Sequence, residues 1–293
     1  MNTKLESILA SILVYFPISW ASALGGYLGR EKAKQGIKLG RKWVTRIHHN
    51  LEELQGVSKQ SVREEMIVKH MDHIGRIYAE YPILHRLAAA GRFDIEGGHN
   101  LQRLNGPIIC ISAHTGHWEL LAEVLKQHHI PGAFVYDPIE NSSRLKIALK
   151  TRKTICPEAS GYKYIEASKQ AAKEVVKWLK SGGNLIIFGD EEVNSSTLAP
   201  AFSRDISYSG NLKKAVKLAI KYNMQIIPMH IKRTGNSRYT AVIETPIEPP
   251  SRGASQENQN ELVDSLDTLI EKWVLEDICH WYWLSNLDLK KKF

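Results

Sequence analysis

Three cysteines in 293 residues, Cys110, Cys156 and Cys279, are too few and too far apart for a disulfide framework or a thiolate zinc site. That usage points to a reducing compartment, and Cys110, inside an apolar run, reads as a packed core thiol. No G-x-x-x-x-G-K-[ST] loop and no strand-following G-x-G-x-x-G occur, so neither of those phosphate-cradling devices supports nucleotide binding. Internal repeats and low-complexity tracts are also missing. What remains is a chain long enough for one large α/β domain and thin for two. Negative charge is in deficit: 39 Lys and Arg against 31 Asp and Glu give +8, which suits an acidic partner such as nucleic acid, anionic lipid or an acidic protein. The seven tryptophans sit in apolar or helical contexts instead of interleaving with Lys and Arg, so nucleic acid is not the expected partner.

Charge is absent altogether from Ser7 to Gly29, a stretch that as a helix would reach roughly 34 Å at about 1.5 Å per residue, near the thickness of a bilayer core. Pro17 and Ser7, Ser11, Ser19 and Ser22 dilute it, while Tyr15 and Trp20 favour the interface, so spanning and lying in one leaflet are both open. Ala21-Ser22-Ala23 could pass for a signal-peptidase site, but Lys4 set against Glu6 is a weak positive start. Arg30, Lys32, Lys34, Lys38, Arg41, Lys42 and Arg46 follow, against a lone Glu31, as a juxtamembrane basic patch would. The expected organisation is a hydrophobic membrane anchor over residues 1–29 and one domain over residues 30–293.

Helical spacing runs from about Val57 to Ala90. Beyond it, short apolar runs alternate with amphipathic ones, the signature of an α/β layer architecture with a mostly parallel or mixed sheet flanked by helices. Strands are predicted at Ile108 to Ser112, Ala133 to Tyr136, Leu185 to Phe188, Ile226 to Ile231 and Tyr239 to Glu244. Predicted helices cover Trp118 to His128, Ala167 to Lys180, Leu212 to Lys221 and Glu261 to Trp273.

The informative stretch is Ile108-Ile109-Cys110-Ile111-Ser112-Ala113-His114-Thr115-Gly116-His117-Trp118-Glu119-Leu120-Leu121. A strand runs into a Gly-containing turn and then a helix, which puts His114 at the strand's carboxyl end, where open α/β sheets place their ligands. Glu119, in the first helical turn, is expected to reach back to one imidazole nitrogen and raise the basicity of the other. Such a base suits transfer of an acyl group to an alcohol, because a hydroxyl attacks a thioester poorly until its proton is taken.

This segment resembles the H-x-x-x-x-[DE] motif of glycerolipid-type acyltransferases. More narrowly, His114 to Leu121 is similar to the His-x-Gly-Asn-Trp-Glu block of the bacterial lipid A late acyltransferases, the lauroyl and myristoyl acyltransferase type. Asn50-Leu51, Gly97-Gly98, the Gly183 to Asp190 strand and Trp281-Tyr282-Trp283 also fit. The resemblance implies an acyl carrier protein thioester as donor, a lipid A precursor or related membrane glycolipid as acceptor, and the cytoplasmic face of the bacterial inner membrane, reached in single-pass or monotopic form. It implies no cofactor and no metal. An Arg somewhat under forty residues after the His is typical and points to Arg152, with Arg144 and Lys146 nearby. An acidic residue after the next strand points to Asp190, followed by Glu191. Arg152, Arg144, Asp190 and Glu191 are thus the expected substrate-binding residues, and His114 and Glu119 the catalytic pair. Departures are His117 in place of Asn, Ala201-Phe202-Ser203 in place of Phe-Phe-Gly, and Ser285-Asn286 after the tryptophans, so the reaction class is better defined than the acceptor. A different lipid or secondary-metabolite acceptor within the same superfamily is the first alternative.

Three readings compete. His114-Thr115-Gly116-His117 matches the H-x-G-H signature of nucleotidylyl transferases. A metallohydrolase could use His114, His117, Asp190 and His230, although a histidine inside the Ile226 to Ile231 strand is more often a core residue. A non-catalytic lipid-binding protein is the third.

Overall fold

In the computed structural model, residues 11–102, 104, 106–137 and 142–289 are described. Helices α1 (Ile18–Lys38), α2 (Lys42–Gln55), α3 (Gln60–Glu80) and α4 (Leu84–Ala89) precede a seven-stranded sheet. The sheet contains β1 (Phe93–Glu96), β2 (Ile108–Ser112), β3 (Gly132–Tyr136), β4 (Lys163–Glu166) and β5 (Asn184–Phe188). A two-stranded ribbon, β6 (Glu192–Val193) and β7 (Ser196–Thr197), follows β5. The last two strands of the main sheet come later; they are β8 (Gln225–Gly235) and β9 (Arg238–Ile243). Helices α5 (Leu121–Gln127), α6 (Ser142–Ile155), α7 (Ala171–Lys180), α8 (Asn211–Tyr222) and α9 (Gln256–Glu276) are interspersed or follow.

The sheet order is β1-β9-β8-β2-β5-β3-β4, parallel at every pairing except the antiparallel β8–β9 hairpin. It is the expected α/β architecture with a mostly parallel sheet between helices. β2 shows why its sequence is an unbroken apolar run: Ile108 and Cys110 face one core, Ile109 and Ile111 the other, and all are buried. Helices on both faces demand apolar residues at every position of a central parallel strand.

Several boundaries differ from expectation for identifiable reasons. The helical pattern over 57–90 is split at Tyr81–Ile83, where Pro82 removes a backbone donor. β1 and β4 are four-residue strands, too short for periodicity to mark, and α6 was not anticipated from its strongly charged sequence. The division expected at Gly29 falls inside α1, which runs unbroken to Lys38. Helix α1 lies against α3 through small residues: a Cβ on Gly29 would sit 1.9 Å from the Met71 carbonyl oxygen, and one on Gly75 would sit 2.1 Å from that of Gly25. Backbone meets backbone there, so no side chain can be added on either side without separating the helices. Arg30 and Arg76 both bind Asp72 across and along this contact, so Arg30 belongs to the helix packing and not to a free basic patch. No described helix is long and apolar enough to cross a membrane.

Candidate active site

β2 and β5 are adjacent and parallel, with Ser112 paired to Phe188. Two residues beyond each of those positions stand His114 and Asp190, so equal steps from paired strand ends bring the imidazole and the carboxylate together. Asp190 Oδ1 lies 2.8 Å from His114 Nδ1, and Oδ2 accepts the His114 backbone N–H at 2.7 Å. The indole Nε1–H of Trp281 donates to the same Oδ2 at 3.0 Å. Asp190 is sealed from solvent, whereas the His114 side chain keeps 20% of its surface exposed. With Nδ1–H given to a carboxylate, the tautomer leaves a lone pair on Nε2, which finds no protein partner among the described residues and is not sealed in.

Aromatic rings form the walls. Phe188 stacks on the His114 ring at 4.2 Å, and Trp118 and Trp283 meet it edge-on at 5.2 Å and 5.3 Å. The Trp283 indole nitrogen is 3.3 Å from His114 Nδ1. Because that nitrogen already carries the proton given to Asp190, the contact is one of packing. The turn itself needs Gly116: its φ is +55°, and a Cβ there would lie 2.3 Å from the Ile231 carbonyl oxygen. A segment far along the chain completes the loop, for Tyr282 N–H donates to the His114 carbonyl at 2.9 Å and Gly116 N–H to that of His280 at 3.2 Å.

Glu119 is not the partner of His114. Arg152 takes it instead, with Nε donating to Oε2 at 2.8 Å and Nη2 to Oε1 at 2.5 Å, and the Tyr81 hydroxyl donates to Oε1 at 2.9 Å. The reason is geometric: Glu119 sits in a helical turn that points its side chain toward Tyr81 and toward Arg152 of α6, while the segment just after β5 delivers a carboxylate directly to the imidazole. Burial raises the Glu119 carboxyl, but the charge and hydrogen bonds of Arg152 outweigh it and hold the group below the usual range. Arg152, buried beside that carboxylate and over the Tyr136 ring, is held even more firmly protonated than usual and gives Nε and Nη2 to Glu119. Arg144 lies over the Tyr78 ring at 4.9 Å, apart from that pair. Glu191 is turned away as well, its Oε2 accepting the Asn211 backbone N–H at the start of α8 at 2.7 Å. Of the residues expected to bind substrate, Asp190 is the one the structure brings to His114.

His117 faces the opposite way. It is fully buried beside Tyr81 and Tyr239, and burial lowers its pKa to about 4 despite Glu80 and Glu119 nearby. A pair of histidines aimed at one phosphate is therefore not formed. His230 is a core residue stacked on Trp273 at 4.5 Å, lowered to about 3 by burial. Among the described residues no three His, Cys, Asp or Glu are arranged to hold a metal ion.

Sequence reasoning missed the rest of the buried polar frame. Glu80 accepts Nη2 of Arg233 at 3.0 Å and the Tyr239 hydroxyl, and Arg233 Nε donates to His73 Nδ1 at 3.0 Å. Nothing in local pattern links residues 80, 233 and 239. Asn50 had a signal in the resemblance alone; its amide donates to the carbonyls of Leu284 and Leu287 at 3.0 Å and 2.9 Å.

A histidine at the carboxyl ends of parallel strands, bound through Nδ1 to a buried carboxylate and walled by aromatic rings, is the candidate centre that this α/β fold presents. The model of the bacterial lipid A biosynthesis acyltransferase family matches residues 3–290, so the chain belongs to that family and is an acyltransferase. No curated protein matches it. Among solved structures, a 1-acyl-sn-glycerophosphate (LPA) acyltransferase, PlsC, from Thermotoga maritima is similar at 12% identity and a TM-score of 0.38, over 79% of this chain and 94% of that one.

Proposed function

We propose that the chain transfers a fatty acyl group from an acyl carrier protein thioester to a hydroxyl of a lipid A precursor or related glycolipid, with His114 as general base and Asp190 as the residue that orients it. The carrying observation is the 2.8 Å contact of Asp190 with His114 Nδ1 beneath an open Nε2. In the reaction, Nε2 takes the hydroxyl proton while the oxygen attacks the thioester carbonyl. The C–S bond breaks as the tetrahedral intermediate collapses, and the departing thiolate takes the proton back from the imidazolium. No covalent enzyme intermediate is needed. Family membership supports the lipid acceptor, and the +8 charge favours an acidic carrier as donor.

The same proposal places the enzyme on the cytoplasmic face of the inner membrane through α1. Trp20, Leu24, Tyr27 and Leu28 recur at helical spacing and are exposed, Trp20 by 69% and Leu28 by 55%, with Tyr15 preceding them. Exposed Lys32, Lys34, Lys38, Arg41 and Lys42 follow. An apolar stripe with cations beside it suits an interfacial helix on anionic lipid.

The test of the chemistry is an assay with lauroyl-acyl carrier protein and a lipid A precursor. His114→Ala should lower kcat by about 10² to 10⁴ with little change in KM, and Asp190→Asn should approach it, the double variant being barely worse. A folded His114→Ala that retains activity overturns the reading. For the membrane, Trp20→Asp/Leu28→Asp should release the protein from vesicles containing phosphatidylglycerol, and unchanged sedimentation with those vesicles would refute the interfacial role.

A further inference from the structure

The carboxylate that orients His114 is itself held, and the third holder comes from outside the sheet. Trp281 is fully buried, and its one polar atom is spent on Asp190 Oδ2. Oδ2 also receives the His114 backbone N–H, so Oδ1 is left to face Nδ1. Without the indole, the carboxylate could turn about its Cβ–Cγ bond and exchange oxygens.

Position is backed by backbone. Residues Thr115 and Trp281 form an antiparallel bridge, and the N–H of Tyr282 and the carbonyl of His280 are both bonded to the His114–Gly116 turn. Phe202 meets the Trp281 ring edge-on at 5.4 Å, fixing the far side of the indole. Two backbone hydrogen bonds, which make up that bridge, and one ring contact thus determine where its N–H points.

We propose that Trp281 is a positioning residue of the catalytic pair: its indole N–H fixes the rotamer of Asp190 and disperses part of the carboxylate charge, thereby setting both the orientation and the basicity of His114. This rests on the reading of His114 as the base. Two consequences follow in opposite senses. Loss of the N–H loosens the geometry and lowers kcat, while the less solvated carboxylate holds the imidazolium more strongly and moves protonation of His114 to higher pH. The titratable groups facing His114 are Asp190 from β5 and Tyr282 from the following segment; Phe188, Trp118 and Trp283 supply the remaining surroundings. Burial pushes the Tyr282 hydroxyl well up, so Asp190 is the neighbour through which Trp281 acts.

The experiment uses the full chain with Trp281→Phe, ¹⁵N-histidine NMR of the ligand-free protein, and lauroyl-acyl carrier protein with a lipid A precursor as the assay. Expected are a roughly tenfold fall in kcat, an unchanged KM, and an upward displacement of both the acid limb of the pH profile and the His114 ¹⁵N response to pH. In an Asp190→Asn background the same substitution should have no further effect on either readout. If Trp281→Phe fails to fold, replacement of Trp281 by benzothienylalanine keeps the shape and removes only the N–H. A folded variant whose His114 titration and kcat match the parent, or whose effect persists undiminished in Asp190→Asn, overturns the inference. The NMR readout does not depend on turnover, so an inactive substrate pair or an active His114→Ala would sink the proposed function while leaving this coupling separately measured.

Discussion

At the scale of single residues, two carboxylates within reach of one turn have opposite tasks because of what packs on them. Asp190 is spent on His114, and Glu119 on Arg152, in a pair whose side chains are 7% and 16% exposed. Breaking a buried pair leaves the other charge uncompensated, at a cost of about 3–5 kcal/mol. Glu119→Gln is therefore expected to lower stability by about that amount, read by denaturant titration, while the protein that remains folded keeps the parental pH profile. A displaced profile would instead put Glu119 in the proton pathway. His117→Asn should leave kcat within about threefold, because its ring touches Tyr81 and Tyr239 and not the imidazole of His114.

Among elements, the central strands and the helices α8 and α9 could be read from period and turn chemistry, and so could the placement of His114 at a strand end. The choice between Glu119 and Asp190 could not. Sequence nearness favoured the residue five positions on, whereas the lateral register of β2 and β5 carries a residue 76 positions away to the same nitrogen. Pairing between parallel strands has no local signature, and for the same reason the Glu80–Arg233–Tyr239 frame was unreadable. Asn50 shows the intermediate case: its two bonds to the Leu284 and Leu287 carbonyls tie α2 to the segment that carries Trp281 and Trp283. Asn50→Ala should lower both the melting temperature and kcat, and a loss of stability with full kcat would separate that tether from the site. Gly29→Ala should destabilise by about 1–3 kcal/mol through forced separation of α1 and α3, measured by chemical denaturation.

For the molecule as a whole, buried neutral histidines set the response to acid. Burial lowers His70 and His117 to about 4 and His230 to about 3, whereas in the unfolded chain each titrates near the ordinary value of about 6.5. Between those limits the unfolded chain binds more protons, so this stabilisation is complete above about pH 6.5 and is lost as pH falls toward 4, on the order of 3 kcal/mol per residue. Asp267, raised to about 6 chiefly by burial, acts in the opposite sense, but it is one group against these three and His73, which burial also lowers. Glu119, held low by Arg152, extends the loss below about pH 4.5. Melting temperatures should fall steadily from pH 6.5 to pH 4, less so in His117→Asn; a flat profile over that range would contradict the burial of these rings.

The contact between Trp281 and Asp190 also imposes an order in time. His114 and Asp190 leave the ribosome well before Trp281, which comes 91 residues after Asp190. At about 5–20 residues per second, that interval is roughly 5 to 18 seconds. During it His114 and Asp190 exist without the segment that fixes them. Asp190 therefore gains its indole donor only once the late aromatic segment has been made and has docked.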